Sequence, residues 1–277
     1  MQTATGGNDF MANQNISTGL SVSAAYPDVR KISLSDLKDV LVAGIDDFRA
    51  VPTQLIFLCI IYPVIGVILA RAASGNSLLH LVYPLVTGFA LVTPFFALGI
   101  YEISRRRERG EPVSWLNVFD VLHSKSIVSI GLLGLMLLVI FLIWLDCAQG
   151  IYRSIFAAPS PDSISGFIDQ IFTTKSGLEL FLTGNISGFI FAALVLTLTV
   201  ISFPLLLDRP VGAVTAIVTS VRAVLANPVV MTVWGLIVAV GLLLGSLLLF
   251  VGLAVVLPIL GHATWHLYRK VIAPEGK

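Results

Sequence analysis

Near its C-terminus the chain reads Leu260-Gly-His-Ala-Thr-Trp-His-Leu-Tyr-Arg-Lys270, with His262 and His266 four residues apart. On a helix that spacing places both imidazoles on one face, the start of a ligand set for a metal or a haem. A closed metal site normally takes three or four protein ligands. Of the other histidines, His80 and His123, only His123 is expected on the same side of the membrane, so His262, His266 and His123 are the candidate metal ligands. The competing reading makes the pair part of a hydrogen-bonded polar patch with Thr264, Tyr268 or a neighbouring helix. That reading is preferred, and no cofactor is expected. The chain contains no Walker motif, no GxGxxG at a strand-to-helix turn, no HExxH and no GxSxG, so an enzyme built on one of these is not expected either. Nucleic acid is not an expected partner.

The elements that position these residues follow from composition. Of 277 residues, 56% are hydrophobic and 12% charged, against about 25% charged in soluble domains; mean hydropathy is +0.93. Charge-poor runs of about 20 residues match the length a helix needs to cross the hydrocarbon. They fall at about 52–71, 79–101, 127–146 and 186–207. The apolar stretch 228–268 is twice too long for one crossing and is read as two helices turning near Gly245-Ser246. The fold class is therefore all-α and polytopic, with six transmembrane helices. Residues 1–29 are polar and rich in Gly, Ser and Asn, which predicts a disordered tail, and 272–277 form a short second tail.

Charge fixes the expected orientation. With the N-terminus inside, the inner segments hold Arg30, Lys31, Lys38, Arg49, Arg105, Arg106, Arg107, Arg109, Lys125, Arg209, Arg222, Arg269, Lys270 and Lys277, leaving only Arg71, Arg153 and Lys175 outside. The bias of basic residues toward the cytoplasm then puts both termini in the cytoplasm. Trp144 and Tyr152 fall at the expected outer edge, and Tyr101, Trp265 and Tyr268 at the inner edge, where amphipathic rings are favoured.

The segments before spans one, three and five share a pattern. Leu34, Leu37, Leu41, Ile45 and Phe48 recur at helical steps, as do Trp115, Val118, Phe119 and Leu122, and then Val211, Val214, Val218, Val221 and Leu225. Each predicts an interfacial amphipathic helix. Ser33-Leu-Ser-Asp36 resembles a capping box, and Pro210 suits a first helical turn. The membrane domain, residues 30–271, thus divides into three tandem units of surface helix plus transmembrane hairpin at about 33–104, 112–207 and 210–270. A short helix is expected over 164–172 in the outer segment of the middle unit.

Polar groups within the bilayer are few. Glu102, Asp146 and Asp208 fall at span ends within reach of water, and Glu102 stands at pairing distance from Arg105 and Arg106. Arg105, Arg106, Arg107 and Arg109, with Arg269 and Lys270, are candidate headgroup contacts and topology anchors. Gly184 and Gly188, and Gly241 and Gly245, have the small-xxx-small spacing of close helix packing, within the chain or between copies. Pro63, Pro84, Pro94, Pro204 and Pro258 lie inside spans, where they shape packing or open a cavity.

The phrases Leu257-Pro-Ile-Leu-Gly-His-Ala-Thr-Trp-His-Leu-Tyr-Arg269, Asp46-Asp-Phe-Arg49 and Gly99-Ile-Tyr-Glu-Ile-Ser-Arg105 resemble a bacterial inner-membrane family, domain of unknown function 2189, over about 30–270. The resemblance implies architecture but no activity. The function expected is that of a non-enzymatic accessory protein that binds the lipid bilayer, a partner membrane protein or a second copy of itself. The alternatives are a transporter or channel for a small or amphipathic solute, and a metal- or haem-binding redox accessory protein using the histidine pair.

Overall fold

The apolar runs are helices in the computed structural model, which describes residues 26–51, 79–156, 164–247 and 251–274. Helix α1 spans Leu34–Ala50, α2 Leu79–Phe96 and α3 Leu98–Glu108; a 3-10 helix, η1, covers Trp115–His123. Helices α4 (Ile127–Ile155), α5 (Ile164–Thr173), α6 (Lys175–Thr199) and α7 (Ser202–Asp208) follow. The chain ends with α8 (Ala213–Ala226), α9 (Pro228–Leu247) and α10 (Leu253–Val271). Among the described residues the only β pairing is an isolated antiparallel bridge between Val29 and Ile272.

Among the described residues four helical stretches are long and apolar enough to cross a membrane: His80–Glu108, Ile127–Ile155, Lys175–Asp208 and Pro228–Leu247. They correspond to the expected spans two to five. The first expected span, 52–71 with Pro63, lies outside the described residues. Helix α10 occupies the place of the sixth but is not among the four, because His262, His266, Arg269 and Lys270 dilute its apolar content. The turn expected at Gly245-Ser246 is displaced: α9 runs through both residues to Leu247, and α10 starts at Leu253. Gly245 serves close approach instead, since a Cβ there would stand 2.8 Å from Leu253 Cδ2.

The three surface elements form for local reasons visible in the sequence. At the start of α1, Asp36 reaches back to the Ser33 backbone N–H at 2.8 Å, so the short acid does work as a capping-box partner. The stripe that α1 buries is Leu37, Val40, Gly44 and Asp47, rotated from the expected one, and Leu34 is exposed. The segment 115–123 is a 3-10 rather than an α-helix, capped by Ser114 and Asn117. Helix α8 begins after Gly212, so Pro210 lies upstream of its first turn.

Helix α8 also buries the face opposite its valines. Ala216, Thr219, Ser220 and Ala223 face inward, whereas Val214 and Leu225 are exposed. The cause is the break between α6 and α7. There Ser220 Oγ donates to the Thr197 carbonyl at 2.8 Å and accepts from the Ile201 N–H at 3.3 Å. Backbone groups freed in an apolar setting need such partners, so small polar residues won the inner face.

In the packed centre Ile130, Leu133 and Leu137 of α4 meet Ile201, Phe203 and Leu205, all fully buried. Helices α2 and α4 approach at Gly88, where a Cβ would be 2.7 Å from Trp144, and the Trp144 indole donates to the Pro84 carbonyl at 3.0 Å. The expected interfacial rings Trp144, Tyr101, Trp265 and Tyr268 are therefore interior residues, as is Tyr152. For Trp144, Trp265 and Tyr268 an internal hydrogen bond replaces the aqueous one. Leucines of α4 and α9 and Phe189 and Ile190 of α6 face outward, as lipid-facing surfaces do. The surface elements seat in a regular way: α1 chiefly on α10, η1 on α3 and α8 on α6 and α7.

Candidate functional site

The most concentrated buried chemistry lies where α1, α3 and α10 meet. Small residues let the three backbones close. A Cβ on Gly44 of α1 would stand 2.8 Å from Ala263 Cβ and 2.9 Å from the Ile259 carbonyl of α10. A Cβ on Gly261 would stand 2.9 Å from Ile100 of α3. Into this junction α1 delivers Asp47, α3 delivers Ser104 and Arg107, and α10 delivers His262 and His266.

Asp47 is the hub. Ser104 Oγ donates to Asp47 Oδ2 at 2.6 Å, His266 Nε2 lies 2.9 Å from the same oxygen, and the Arg107 guanidinium pairs with Oδ1. A carboxylate only accepts, so His266 carries its proton on Nε2. Ser104 Oγ, its own proton committed, accepts from His262 Nδ1 at 2.7 Å, which leaves a lone pair on His262 Nε2. That atom is buried and has no hydrogen-bond partner among the described residues. Burial pushes the Asp47 carboxyl up, but the hydrogen bonds from His266 and Ser104 and the positive charge nearby outweigh it and hold it below the ordinary carboxylate range.

Around this hub the basic run is already spoken for. Glu102, almost fully buried rather than open to water, pairs with Arg105 at 2.7 Å and Arg106 at 3.0 Å. Arg106 also reaches Asp120 at 2.9 Å. Asp208 receives Arg109, Arg269 and the Tyr268 hydroxyl at 3.5, 3.3 and 2.7 Å. Glu108 receives Arg269 at 2.8 Å and the Trp265 indole at 3.0 Å. Lys270 joins Asp36 at 2.9 Å. The candidate headgroup anchors thus spend their charge on carboxylates of the same chain.

Ser, His and Asp side chains recur in nucleophilic sites, but the order of bonds differs here. A nucleophilic serine gives its proton to a histidine base; Ser104 gives its proton to Asp47, and Ser104 itself has no exposed surface. Among the described residues no group of three or more His, Cys, Asp or Glu is arranged to hold a metal ion. His262 and His266 are brought to one carboxylate, while His123 is exposed at the end of η1. A cation at Asp47 would have to displace the Arg107 guanidinium.

Of the packing glycines, Gly188 faces Trp144, Gly241 faces Val256 and Leu260, and Gly245 faces Leu253. Among the described residues a Cβ on Gly184 would meet nothing within 4 Å. The acidic hub was missed by reading the sequence. The signal was present: an aspartate at position 47 continues the buried stripe Leu37, Val40, Gly44.

The comparison with known families falls on the helices just described. Residues 82–208 match the model of the family described as predicted integral membrane protein (DUF2189). The chain is an integral membrane protein. The matched stretch runs from α2 to α7, shorter than the 30–270 suggested by the sequence phrases, and includes Ser104 and Arg107 but not Asp47, His262 or His266. No curated protein and no solved structure matches the chain. The three quoted phrases nevertheless meet in space, for Asp47, Ser104, and His262 with His266 come from one phrase each.

Proposed function

We propose that this is a non-enzymatic accessory protein of the bacterial inner membrane, acting by binding lipid or a partner membrane protein. One observation carries the reading. The side chains capable of chemistry at the α1–α3–α10 junction are bonded to one another, with Asp47 taking Ser104, His266 and Arg107 together. Such a cluster holds helices in register, and the atom in it without a partner among the described residues, His262 Nε2, lies on a side chain with no exposed surface. A transporter needs a continuous polar path, whereas the described centre is filled by Ile130, Leu133, Leu137 and Phe203.

The architecture that goes with this reading is six spans in three units, with both termini in the cytoplasm. Its support is the meeting of the four basic segments at one end of the bundle. Arg30 donates to the Arg269 carbonyl, Arg105 to that of Leu207 and Ser126 to that of Arg209, while Lys270 pairs with Asp36. The unit boundaries find support in the seating of α1, η1 and α8, each on the last helix of a unit: α10, α3 and α7.

The test is purification of the full chain from its native membrane under mild detergent, with bound lipids and proteins identified. A lipid class or membrane protein retained at stoichiometric level is expected, and retained equally by Ser104→Ala. Recovery of the chain with neither, or a turnover abolished by Ser104→Ala, would overturn the reading.

A further inference from the structure

At the basic end of the bundle η1 turns an apolar row away from the protein. Val121 is buried, and Val118 sits against Gly99, whose Cβ would be 2.6 Å from it. On the other side Trp115, Leu116, Phe119 and Leu122 are 53, 54, 56 and 65% exposed. A 3-10 helix has three residues per turn, so Leu116, Phe119 and Leu122 stack in single file over roughly 12 Å. Two polar members of η1 face its back: Asn117 donates to Asp120 at 2.8 Å, and Asp120 pairs with Arg106.

Position in the chain limits what can cover this row. Short links join η1 to the stretch His80–Glu108 on one side and Ile127–Ile155 on the other, both long and apolar enough to cross the bilayer. The element is therefore held at the level where two spans leave the hydrocarbon. Helix α8 stands in the same relation to the spans ending at Asp208 and beginning at Pro228, and it too turns Val214 and Leu225 outward. Two elements from separate parts of the sequence thus present apolar rows at one level. Tryptophan favours the headgroup boundary, and of the four tryptophans only Trp115 is exposed; Trp144, Trp234 and Trp265 are buried.

We propose that η1 is a lipid-contacting blade, lying in the plane of the membrane with Trp115, Leu116, Phe119 and Leu122 sunk into the headgroup–acyl boundary of the leaflet at the basic end. This rests on the lipid-binding reading above and names its site. The attachment works mainly through apolar area: Arg106 beside the blade is held by Glu102 and Asp120, which leaves Lys125, just past its end, as the neighbouring exposed cation. Zwitterionic lipid is enough, and salt has little effect.

The full chain is reconstituted in phosphatidylcholine vesicles, and tryptophan emission is quenched either by lipid carrying a nitroxide high on its acyl chain or by aqueous iodide. Subtracting the Trp115→Phe spectrum isolates Trp115. The expected result is a Trp115 signal quenched severalfold more strongly by the nitroxide lipid than by iodide, at low and high salt alike. A variant with Leu116, Phe119 and Leu122 all changed to Ser is expected to reverse that preference while keeping the wild-type melting midpoint. Iodide quenching that dominates in the wild type, or a serine variant still shielded from iodide, would overturn the proposal. The readout concerns only where η1 lies, so it can succeed even if no lipid or partner is retained on purification.

Discussion

Replacing Asp47 by Asn tests the buried hub with almost no change in shape. The carboxylate is 8% exposed and takes three donors. Loss of the charge-assisted bond from buried Ser104 costs about 1.5–3 kcal/mol. The His266 and Arg107 contacts count for less, because those side chains are 24% and 32% exposed and water screens them; each adds about 0–1 kcal/mol. The amide also turns an N–H₂ toward groups that are themselves donors. A total of about 1.5–5 kcal/mol corresponds to a fall in melting midpoint of roughly 3–20 °C at this chain size. The assay is a thermal scan of purified protein in one detergent at one scan rate, since membrane proteins unfold irreversibly. Asp46→Asn, on the exposed face of the same helix, is the control and should melt as the wild type does. The gap should also depend on pH. The folded Asp47 carboxyl lies below its unfolded value of 3.8, so its contribution is full above that value and is lost as pH falls through the lower folded one. Asp47→Asn melting within about a degree of Asp46→Asn at neutral pH, well inside the roughly 2–4 °C per kcal/mol expected, would refute the hub.

Other outcomes follow from the same geometry. Gly→Ala in a helix ordinarily adds about 1 kcal/mol of stability, but at Gly44 the new Cβ would meet Ala263 and the Ile259 carbonyl of α10. Gly44→Ala should therefore destabilise by about 1–3 kcal/mol, while Gly184→Ala, which would meet none of the described residues within 4 Å, should be neutral or stabilising in the same thermal scan. Asn227, buried, accepts from the Ile32 N–H at 2.9 Å and donates to the Arg30 carbonyl at 3.1 Å. Asn227→Ala should release the 28–32 segment and speed tryptic cleavage after Arg30 and Lys31 severalfold, read by mass spectrometry of the intact chain. Tyr268→Phe removes the hydroxyl donor to Asp208 and should lower the melting midpoint by about 3–12 °C, the equivalent of roughly one neutral-to-charged hydrogen bond.

Much of the fold was legible because bilayer crossing demands long apolar runs, and spans two to five are plain in the charge distribution. What escaped was rotation about helix axes. The segment 211–225 holds the cleanest apolar stripe in the sequence, yet its Val214 and Leu225 face outward and the opposite face is the buried one. In water that stripe would have to be buried; beside lipid it need not be, and the face that must be buried is the one that satisfies backbone at the α6–α7 break. The same inversion explains Trp144, Trp265 and Tyr268: interior hydrogen-bond acceptors, invisible in sequence, drew them inward. The pair His262 and His266 was legible as a polar patch. Its partners Asp47 and Ser104, separated from it by more than 150 residues, were not, because no local pattern links them.

On the three-unit reading, the position of this hub has a physical reason. Two of the three seams between units are bridged by the chain itself, through the short links between α3 and η1 and between α7 and α8. The third seam, between α1 and α10, joins the two ends of the chain and has no such link. Closing it costs the entropy of bringing distant segments together, so specific contacts must supply what covalent connection supplies elsewhere. That is where they are concentrated. Across it His266 donates to Asp47 and His262 to Ser104, Lys270 meets Asp36, Asn227 holds the backbone of 30–32, and Val29 bridges Ile272. Hydrophobic packing alone would tolerate sliding of α1 along α10, whereas a buried carboxylate with three directed donors accepts one register. The histidines that first suggested a ligand site thus stand at the one junction of the bundle where directed bonds are needed most.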